Sequence, residues 1–584
     1  MPSDSLDRRQ FLKATAGAAA LAAASSSLFA AAERTSGRTS DSLIGELVKA
    51  NDADLPKNLE RQIKRPGHRW HGGVRSEYGF PTPHATAGVI AALACAIGAR
   101  QSRYFRSKEL AEPLALATAF MLEAQHDDDH TIDLYSTNFH STPDLAFVVE
   151  VLAPAYILLR DSELAELAPA RENLGKFIVN AGEGMITGGI HTPNHRWVVC
   201  AALAWVNHLF PNPRCVARVD QWLAETIDID PDGQYTEKST TVYSPIVDRA
   251  LITVARLLNR PGLFDPVRRN LEMTLFYVHP DGEVVTEASR RQDRYQRGSM
   301  ARYYYAYRSM ALRDKNGRFA AMAMEVEKTA RAQLRSDLSA FLTEPEFGAN
   351  LPSPQPLPTD YAKVFAYSSL ARIRRGERSG TVLAGNSTVF SFRKGAAALE
   401  ALRFASAFFG KGQFVGDDLE VSGNRYRMRQ QLEGPYFQPL TREQIAHGDH
   451  ARMAPNGTLA TDSKALRRTS NVQTLVSEVE IVEDKGAFTV KISITGTDDV
   501  PASVELVFRH GGTLAGVTAV EGSKDAFLLT DDKGTYTLEG DTIEFTGGRA
   551  DHTYVQLRGA LPKWDGQSVY LTALTPCKFE LKIR

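Results

Sequence analysis

The strongest constraint in the sequence is a helix-start signal that recurs every fifty to sixty residues in the first half of the chain. A hydroxyl side chain can accept from the free N–H groups of a first helical turn, and proline suits the first helical position, where no N–H is needed. A start repeated at this period predicts stacked helical hairpins whose corresponding loops lie on one rim. The four signals are Thr82-Pro83, Thr142-Pro143, Thr192-Pro193 and Ser244-Pro245.

Polar side chains suited to proton transfer stand beside each start. Histidine or tyrosine can act as a base or an acid, and an asparagine amide can steady a developing charge. We therefore predict a proton-transfer site on the rim. In chain order its candidates are His84, then Asn138 and His140, then Asn194, His195 and Arg196, then Tyr243.

The segment from Gly188 to Trp197 carries the clearest site signal. Asn194 and His195 fall in the first turn of a predicted helix, where free N–H groups and the positive end of the helix dipole favour an anion. A histidine there is expected to stay neutral and to serve as a general base. The alternative is that both side chains only satisfy a buried helix start.

A long polar loop from Asp232 leads into the fourth helix. Tyr243 stands directly before the Ser-Pro pair, so its hydroxyl is expected to point across the rim as an acid or base. An aromatic lid over the core is the alternative. Tyr235 is the weaker candidate, predicted to bind substrate.

Two further groups are predicted to bind an acidic substrate. Asn138, His140 and Arg196 would position it or neutralise its carboxylate. Arginines crowd the stretch where the next rim loop is expected, and guanidinium groups bind carboxylate or sulfate in pairs of hydrogen bonds. The arginines predicted to bind substrate are Arg290, Arg291 and Arg294, with a solvated charged face as the alternative.

The periodicity predicts a multidomain α + β protein. Helical patterns run through residues 42–347, which favours an incomplete α/α toroid over an open solenoid. Residues 348–360 are proline-rich and are predicted to be a linker. Residues 361–584 change to a period of two with Gly, Asn and Asp turns, which predicts an antiparallel β-sandwich.

The N-terminus predicts an export signal. Arg8-Arg9 precedes Phe11-Leu12-Lys13 and an Ala-rich run, and Ala30–Ala32 offers a cleavage site, so residues 1–32 match a twin-arginine signal peptide. We expect a periplasmic or secreted protein. A net charge of −1 argues against a nucleic-acid partner, and no later apolar run has the length of a membrane span.

The cysteines and histidines do not predict a metal centre. The four cysteines, Cys95, Cys200, Cys215 and Cys577, show no zinc-ligand spacing, and Cys95 and Cys200, which lie in apolar helical runs, are expected to be small core residues. We expect no cofactor to be required for the chemistry. A structural zinc or calcium ion, and a homodimer, are left open.

With these motifs the chain resembles the heparinase II/III-like polysaccharide lyases, which include alginate lyases. The resemblance rests on the Asn-His pair at a helix start, the Tyr after an Asp-Gly loop, and Gly385-Asn386-Ser387 and Phe408-Phe409-Gly410 in the second half. Alginate-lyase relatives usually show Asn-Asn-His-Gly where this chain has Pro193-Asn194-His195-Arg196. Many relatives also carry a His-x-His zinc stretch where this chain has Gly410-Lys411-Gly412-Gln413.

The resemblance implies β-elimination on a uronic-acid polysaccharide. A base removes the C5 proton, an acid protonates the C4 oxygen, and preorganised donors stabilise charge on the carboxylate. His195, Tyr243 and Asn194 are the expected catalytic set. A glycoside hydrolase using two carboxylates among Asp144, Asp232 and Glu237 is one alternative, and a non-catalytic glycan-binding protein is another. Alginate, glucuronan, a glycosaminoglycan and ulvan all stay open as substrates.

Overall fold

The chain forms two compact units. The computed structural model describes residues 41–448, 452–453, 459–460 and 464–584, so the predicted signal peptide lies outside the described residues. The first unit ends at Leu275 and resumes over Ser299–Leu357. The second unit consists of Phe276–Gly298 and Pro358–Arg584.

The first unit is an incomplete α/α toroid, as the periodicity predicts. The even-numbered helices from α2 to α8 pack side by side in chain order, the odd-numbered helices return between them, and α12 packs against α2 and α4. The helices are α1 (41–60), α2 (Pro83–Gly98), α3 (Ala111–Glu123), α4 (Thr142–Arg160), α5 (Ala168–Thr187), α6 (Pro193–Leu209), α7 (Pro213–Leu223), α8 (Tyr243–Leu257), α9 (Phe264–Thr274), α10 (Tyr304–Asp314), α11 (Gly317–Thr329) and α12 (Leu338–Thr343).

The predicted start signals lie at the N-terminal ends of α2, α4, α6 and α8. Thr82 caps α2 by accepting from the N–H of Ala85 at 3.1 Å. For α4 the cap is Ser141, one residue before the predicted pair. These four helices are neighbours, and their starts are joined by contacts of His84 with Asp144, of Phe147 with His195 and of Asn194 with Glu237 in the loop before α8. The four starts therefore lie on one side of the unit. We call this side the helix-start rim.

The helices of the rim are held by apolar burial. Residues 197–206 of α6 are buried without a break, as expected for a helix between two neighbours. Contrary to the expectation from sequence, Thr142–Arg160 is long and apolar enough to cross a membrane, but 67% of its most apolar window is buried inside the unit. It is therefore a core helix of the toroid.

The second unit is an antiparallel β-sandwich. One sheet has the order β15-β18-β19-β21-β13-β12-β9-β8, and the other has the order β16-β17-β20-β14-β7-β6-β5-β4-β3. Their facing sides bury a core of aliphatic and aromatic residues that includes Phe390, Val490, Leu506 and Phe545. Except for a parallel pairing of β17 with β20, neighbouring strands of these two sheets run antiparallel.

The short hairpin of β1 (Ile132–Leu134) and β2 (Asn138–Ser141) belongs to the first unit, and helix α13 (Arg442–Ala446) to the second. The other strands are β3 (Asp360–Phe365), β4 (Leu370–Arg375), β5 (Arg378–Leu383), β6 (Phe390–Lys394), β7 (Ala397–Ser406), β8 (Glu420–Ser422), β9 (Arg425–Phe437), β10 (Arg452–Met453), β11 (Leu459–Ala460), β12 (Thr469–Asp484), β13 (Ala487–Gly496), β14 (Pro501–Phe508), β15 (Thr513–Ala515), β16 (Thr518–Ala519), β17 (Ala526–Leu528), β18 (Lys533–Leu538), β19 (Asp541–Thr546), β20 (Gln567–Leu574) and β21 (Cys577–Ile583).

The boundary between the units differs from the one the sequence predicts. Residues 276–298 were expected in the toroid but belong to the sandwich unit. The reason is their hydrogen bonding, because the buried Arg372 guanidinium donates to the carbonyls of Phe276 and Val278 and Asn386 donates to the carbonyl of Glu287. The predicted linker is divided between the units, since residues 348–357 belong to the first unit and residues 358–360 to the second.

Candidate active site

Asp144 joins the starts of α2 and α4. Its carboxylate lies 3.4 Å from His84 Nε2 and accepts hydrogen bonds from Asn138 Nδ2 at 2.9 Å and from the Ser141 hydroxyl. Burial opposes its ionisation, but the bonds from His84, Ser141 and Asn138 hold the pKa of Asp144 below its ordinary value. Asp144 is thus a fixed buried anion, and Asn138, predicted to bind substrate, uses an amide N–H to hold it.

His140 belongs to a separate cluster beside the rim. Its Nδ1 lies 2.8 Å from Asp129, and its ring stacks on His126 at a centroid distance of 3.7 Å. A side-chain hydrogen bond with Asp129 raises the pKa of His140. Asp128, Asp129 and His140 each place a ligand atom within 4.8 Å of the others, as a cation site would need. His140 itself is exposed and already ion-paired to Asp129.

Asn194 ties the start of α6 to the loop before α8. Its Nδ2 donates to Glu237 Oε2 at 2.7 Å and to Thr192 Oγ1 at 3.1 Å, so both amide protons are used. Asn194 is only 1% exposed. In this conformation it has no N–H to offer a substrate carboxylate, which is the role the sequence suggested. The geometry instead favours a role in positioning the residues next to it.

Those neighbours are His195 and Tyr243, which stand at the starts of the packed helices α6 and α8. His195 is half-buried, with its ring edge-on to His191 at 4.7 Å and to Phe147 at 6.0 Å. Tyr243 is half-buried, and its backbone N–H donates to the Ser239 hydroxyl at 3.0 Å. The structure therefore puts an imidazole and a phenol on adjacent parts of the helix-start rim.

Arg196 is committed to ion pairs within the toroid. Its guanidinium donates to Glu225 at 2.8 Å and to Asp228 at 2.9 Å and stacks over Trp197. These contacts, together with a side chain only 13% exposed, make Arg196 a link between α6 and the segment after α7. The predicted role of Arg196 in substrate binding stays a prediction.

Tyr235 is a core residue and not a substrate contact. It is 3% exposed, and its hydroxyl donates at 2.8 Å to Asp248, which is fully buried on α8. Burial raises the pKa of Asp248 well above its ordinary value, even though the hydrogen bond from Tyr235 lowers it. The pair fixes the long polar loop to α8 beneath Tyr243.

We expect Tyr235→Phe to destabilise the first unit without changing the chemistry. The substitution leaves a buried carboxyl oxygen without its donor, which costs about 1–3 kcal/mol. Chemical denaturation should therefore show a lower midpoint, while kcat per folded molecule stays at the parental value. A variant with parental stability and lost activity would place Tyr235 in the reaction instead.

We expect Asn194→Asp to destabilise the rim in a pH-dependent way. The new carboxyl would lie 2.7 Å from that of Glu237, and two such groups cannot both ionise, so one pKa rises in the folded state. A raised folded-state pKa means that stability is kept at acid pH and lost as pH rises through it. Melting curves across pH would test this. Asn180→Asp is the control, because Asn180 donates to the neutral amide of Gln125.

The arginines predicted to bind substrate lie in the second unit. Arg290 is exposed, whereas Arg294 donates to Asn386 and stacks on the ring of Tyr295. Arg291 is half-buried, and its backbone N–H donates to the Ser289 hydroxyl at 3.3 Å. The sequence had assigned this segment to the toroid, whereas residues 276–298 belong to the sandwich unit. The predicted binding of substrate by the three arginines stays a prediction.

The partners that organise the rim were not assigned these roles from sequence. Glu237 and Asp144 were considered only as hydrolase carboxylates, and Asp248 was not considered. Each bonds across a loop or to another element, with Glu237 lying 43 positions from Asn194 and Asp248 lying 13 from Tyr235. The one available signal was that Asp248 is the single acidic residue of α8.

Sequence comparison does not assign the chain to a family. No family model matches it, and no curated protein matches it. Solved structures match in fold at 10–12% identity. A Paenibacillus xanthan lyase has a TM-score of 0.57 and 10% identity, over 93% of this chain and 57% of that one. Heparinase III has a TM-score of 0.53 and 11% identity, over 91% and 84%.

A third match is the chondroitin AC lyase of Streptomyces coelicolor A3, solved with chondroitin sulphate. It has a TM-score of 0.50 and 12% identity, over 92% of this chain and 79% of that one. The chain thus has the toroid-plus-sandwich fold of these polysaccharide lyases. The resemblance drawn from the sequence is confirmed at the level of fold.

Proposed function

We propose that the protein is a carbon–oxygen lyase that cleaves a uronic-acid-containing polysaccharide by β-elimination and leaves unsaturated uronyl ends. The observation that carries the proposal is the placement of His195 and Tyr243 at adjacent helix starts on one rim of the toroid. The fold shared with xanthan, heparin and chondroitin lyases supports it. The export signal predicted from the sequence supports a periplasmic or secreted enzyme that meets polymeric substrate outside the cytoplasm.

In this mechanism His195 removes the C5 proton or steadies the carboxylate, and Tyr243 protonates the leaving C4 oxygen. With some sugars Tyr243 would do both. Both groups lie at helix N-termini, where the dipole stabilises negative charge as it develops on the uronate. Asn194 acts through Glu237 to hold the start of α6 in register with the loop before Tyr243. Its role is positioning.

The test is a substrate panel assayed by ultraviolet absorbance. Elimination creates a C4=C5 double bond conjugated to the carboxylate, and neither hydrolysis nor binding does. Purified protein would be incubated with alginate, glucuronan, heparan sulfate, chondroitin sulfate, hyaluronan and ulvan. We expect absorbance to rise with at least one of them. Shortening of a polymer with no rise in absorbance would support the hydrolase, and binding without shortening would support the glycan-binding protein.

Two of the three carboxylates considered for hydrolysis, Asp144 and Glu237, have other partners in this structure. Asp144 is bonded to Asn138 and Ser141, and Glu237 is bonded to Asn194. A hydrolase needs one carboxyl group to stay protonated as the acid, whereas the pKa of Asp144 is lowered. These contacts favour structural roles for Asp144 and Glu237, and they therefore favour elimination over hydrolysis.

The arginine segment gives a prediction about polymer binding. If Arg290 contacts acidic groups, Arg290→Ala should raise KM several-fold at low salt, and the difference should shrink as salt screens the charge. Melting should be unchanged because Arg290 is exposed. Arg294→Ala is the control, and it should lower the melting temperature because it removes the donor to Asn386. An unchanged KM for Arg290→Ala at all salt concentrations would indicate that the segment is a solvated charged face and does not bind substrate.

A further inference from the structure

The sandwich unit contains a small polar cavity lined entirely by its own residues. Its volume is about 20 Å³, which is room for one or two water-sized ligands. Guanidinium groups from Arg297, Arg393 and Arg509 line it, together with carboxylates from Glu283 and Glu400. Tyr295 and Trp564 complete the wall, with ring centroids 3.9 Å apart.

Arg393, on strand β6, is the group in this cavity that lacks bonding. It is 6% exposed, yet among the described residues neither its Nε nor its Nη1 has a hydrogen-bond partner. Its Nη2 lies 3.9 Å from Glu400, which is an ion pair without a hydrogen bond. Leaving two N–H donors of a buried cation unbonded is costly.

The nearby carboxylates are occupied by other donors. Arg509 donates to Glu400 at 2.8 Å and to both oxygens of Glu283, at 3.1 and 2.6 Å. Glu287, which also lines the cavity, accepts from the hydroxyls of Thr381 and Ser391. The free donors of Arg393 therefore have no carboxylate of their own.

The charges around the cavity favour an anion over water. Arg372, buried behind Glu287, adds a fourth guanidinium group to the three in the wall, against three carboxylates. His279 adds no charge at neutral pH because burial lowers its pKa. One positive charge is thus in excess when Arg297, whose side chain is 64% exposed at the mouth of the cavity, is counted. The cavity is too small for a sulfate or a sugar carboxylate with its attached carbon chain.

We propose that this cavity binds one inorganic anion of chloride size, held by Nε and Nη1 of Arg393. The anion would bond the two free donors and neutralise the excess charge. Because it binds only the folded sandwich, it would stabilise the protein according to its concentration. The site is independent of the proposed catalytic chemistry.

Bromide is the probe, because its anomalous scattering identifies it. Crystals of the full chain grown in sodium bromide should show an anomalous peak within hydrogen-bond reach of Arg393 Nε and Nη1. The melting temperature should also be about 2–4 °C higher in sodium bromide or chloride than in sodium methanesulfonate at equal ionic strength, since methanesulfonate is too large for the cavity.

Arg393→Met should abolish the halide-dependent rise in melting temperature. Arg427→Met, which removes an exposed arginine from β9 of the same unit, should keep it. If Arg393→Met does not fold, the bromide peak in the parent protein decides the matter. No peak in the cavity, or peaks at the surface only as adventitious ions, would overturn the proposal, and so would equal melting temperatures in the two salts.

Discussion

Tyr243→Phe is expected to abolish turnover while leaving the protein folded and able to bind polymer. The substitution keeps the ring that packs at the start of α8 and removes only the hydroxyl that would protonate the leaving oxygen. Loss of a general acid costs up to about 10⁴-fold in rate, and we expect about 10³-fold or more here. Initial rates of double-bond formation, polymer binding and thermal melting would be measured on one preparation.

Tyr235→Phe is the matched control, because it makes the same chemical change, loss of a phenolic hydroxyl, at a tyrosine eight positions earlier in the chain. The two variants should show opposite phenotypes, since Tyr235 bonds to buried Asp248 whereas Tyr243 is the proposed acid. Tyr243→Phe should lose activity and keep its stability, and Tyr235→Phe should lose stability and keep its activity. A Tyr243→Phe enzyme that makes unsaturated ends at close to the parental rate would remove Tyr243 from the mechanism.

His195→Ala is expected to have the second-largest effect. Removing the base, or the group that steadies the carboxylate, should lower kcat by about 10²-fold or more while KM changes little. His208→Ala is the control, since His208 lies in the last turn of the same helix, away from the rim. Equal losses in both variants would indicate damage to α6 and not a role in proton transfer.

The helix starts of the toroid could be predicted from sequence because a cap is a local interaction. Thr82 caps α2 where the pattern placed it. The start of α8 was misplaced by two residues, since the helix begins at Tyr243 and not at Pro245 of the Ser-Pro pair. The reason is Ser239, whose hydroxyl and carbonyl accept the N–H groups of Tyr243 and Ser244. A proline pattern does not reveal that acceptor.

The sandwich was predicted as a class but not strand by strand. The period-two pattern runs through residues 381–393 and 535–545, yet the first range holds parts of β5 and β6 and the second holds parts of β18 and β19. In both cases a turn with a positive-φ glycine, Gly385 or Gly540, interrupts a run of strand-forming residues. The long strand β9 gives only a weak signal in the sequence because its exposed positions are polar and its apolar alternation is weak.

The candidate site was predicted only in part because its partners lie far apart in sequence. His195 and Tyr243 are recognisable by their place beside helix starts. The roles of Asn194 and Arg196 depend on Glu237, Glu225 and Asp228, which lie 29 to 43 positions away. Only the packing of α6 against the following loop shows that these side chains are already bonded within the protein.

The central claim is that the glycosidic bond is broken without water, and cleavage in ¹⁸O-labelled water tests it most directly. The substrate would be a polysaccharide of the panel that the protein cleaves, and the masses of its products would be measured by mass spectrometry. Elimination predicts two fragments whose masses sum to that of the parent chain, with an unsaturated uronyl end and no ¹⁸O from the cleavage step. One ¹⁸O incorporated per bond cleaved, with saturated ends, would contradict the account and identify the protein as a hydrolase.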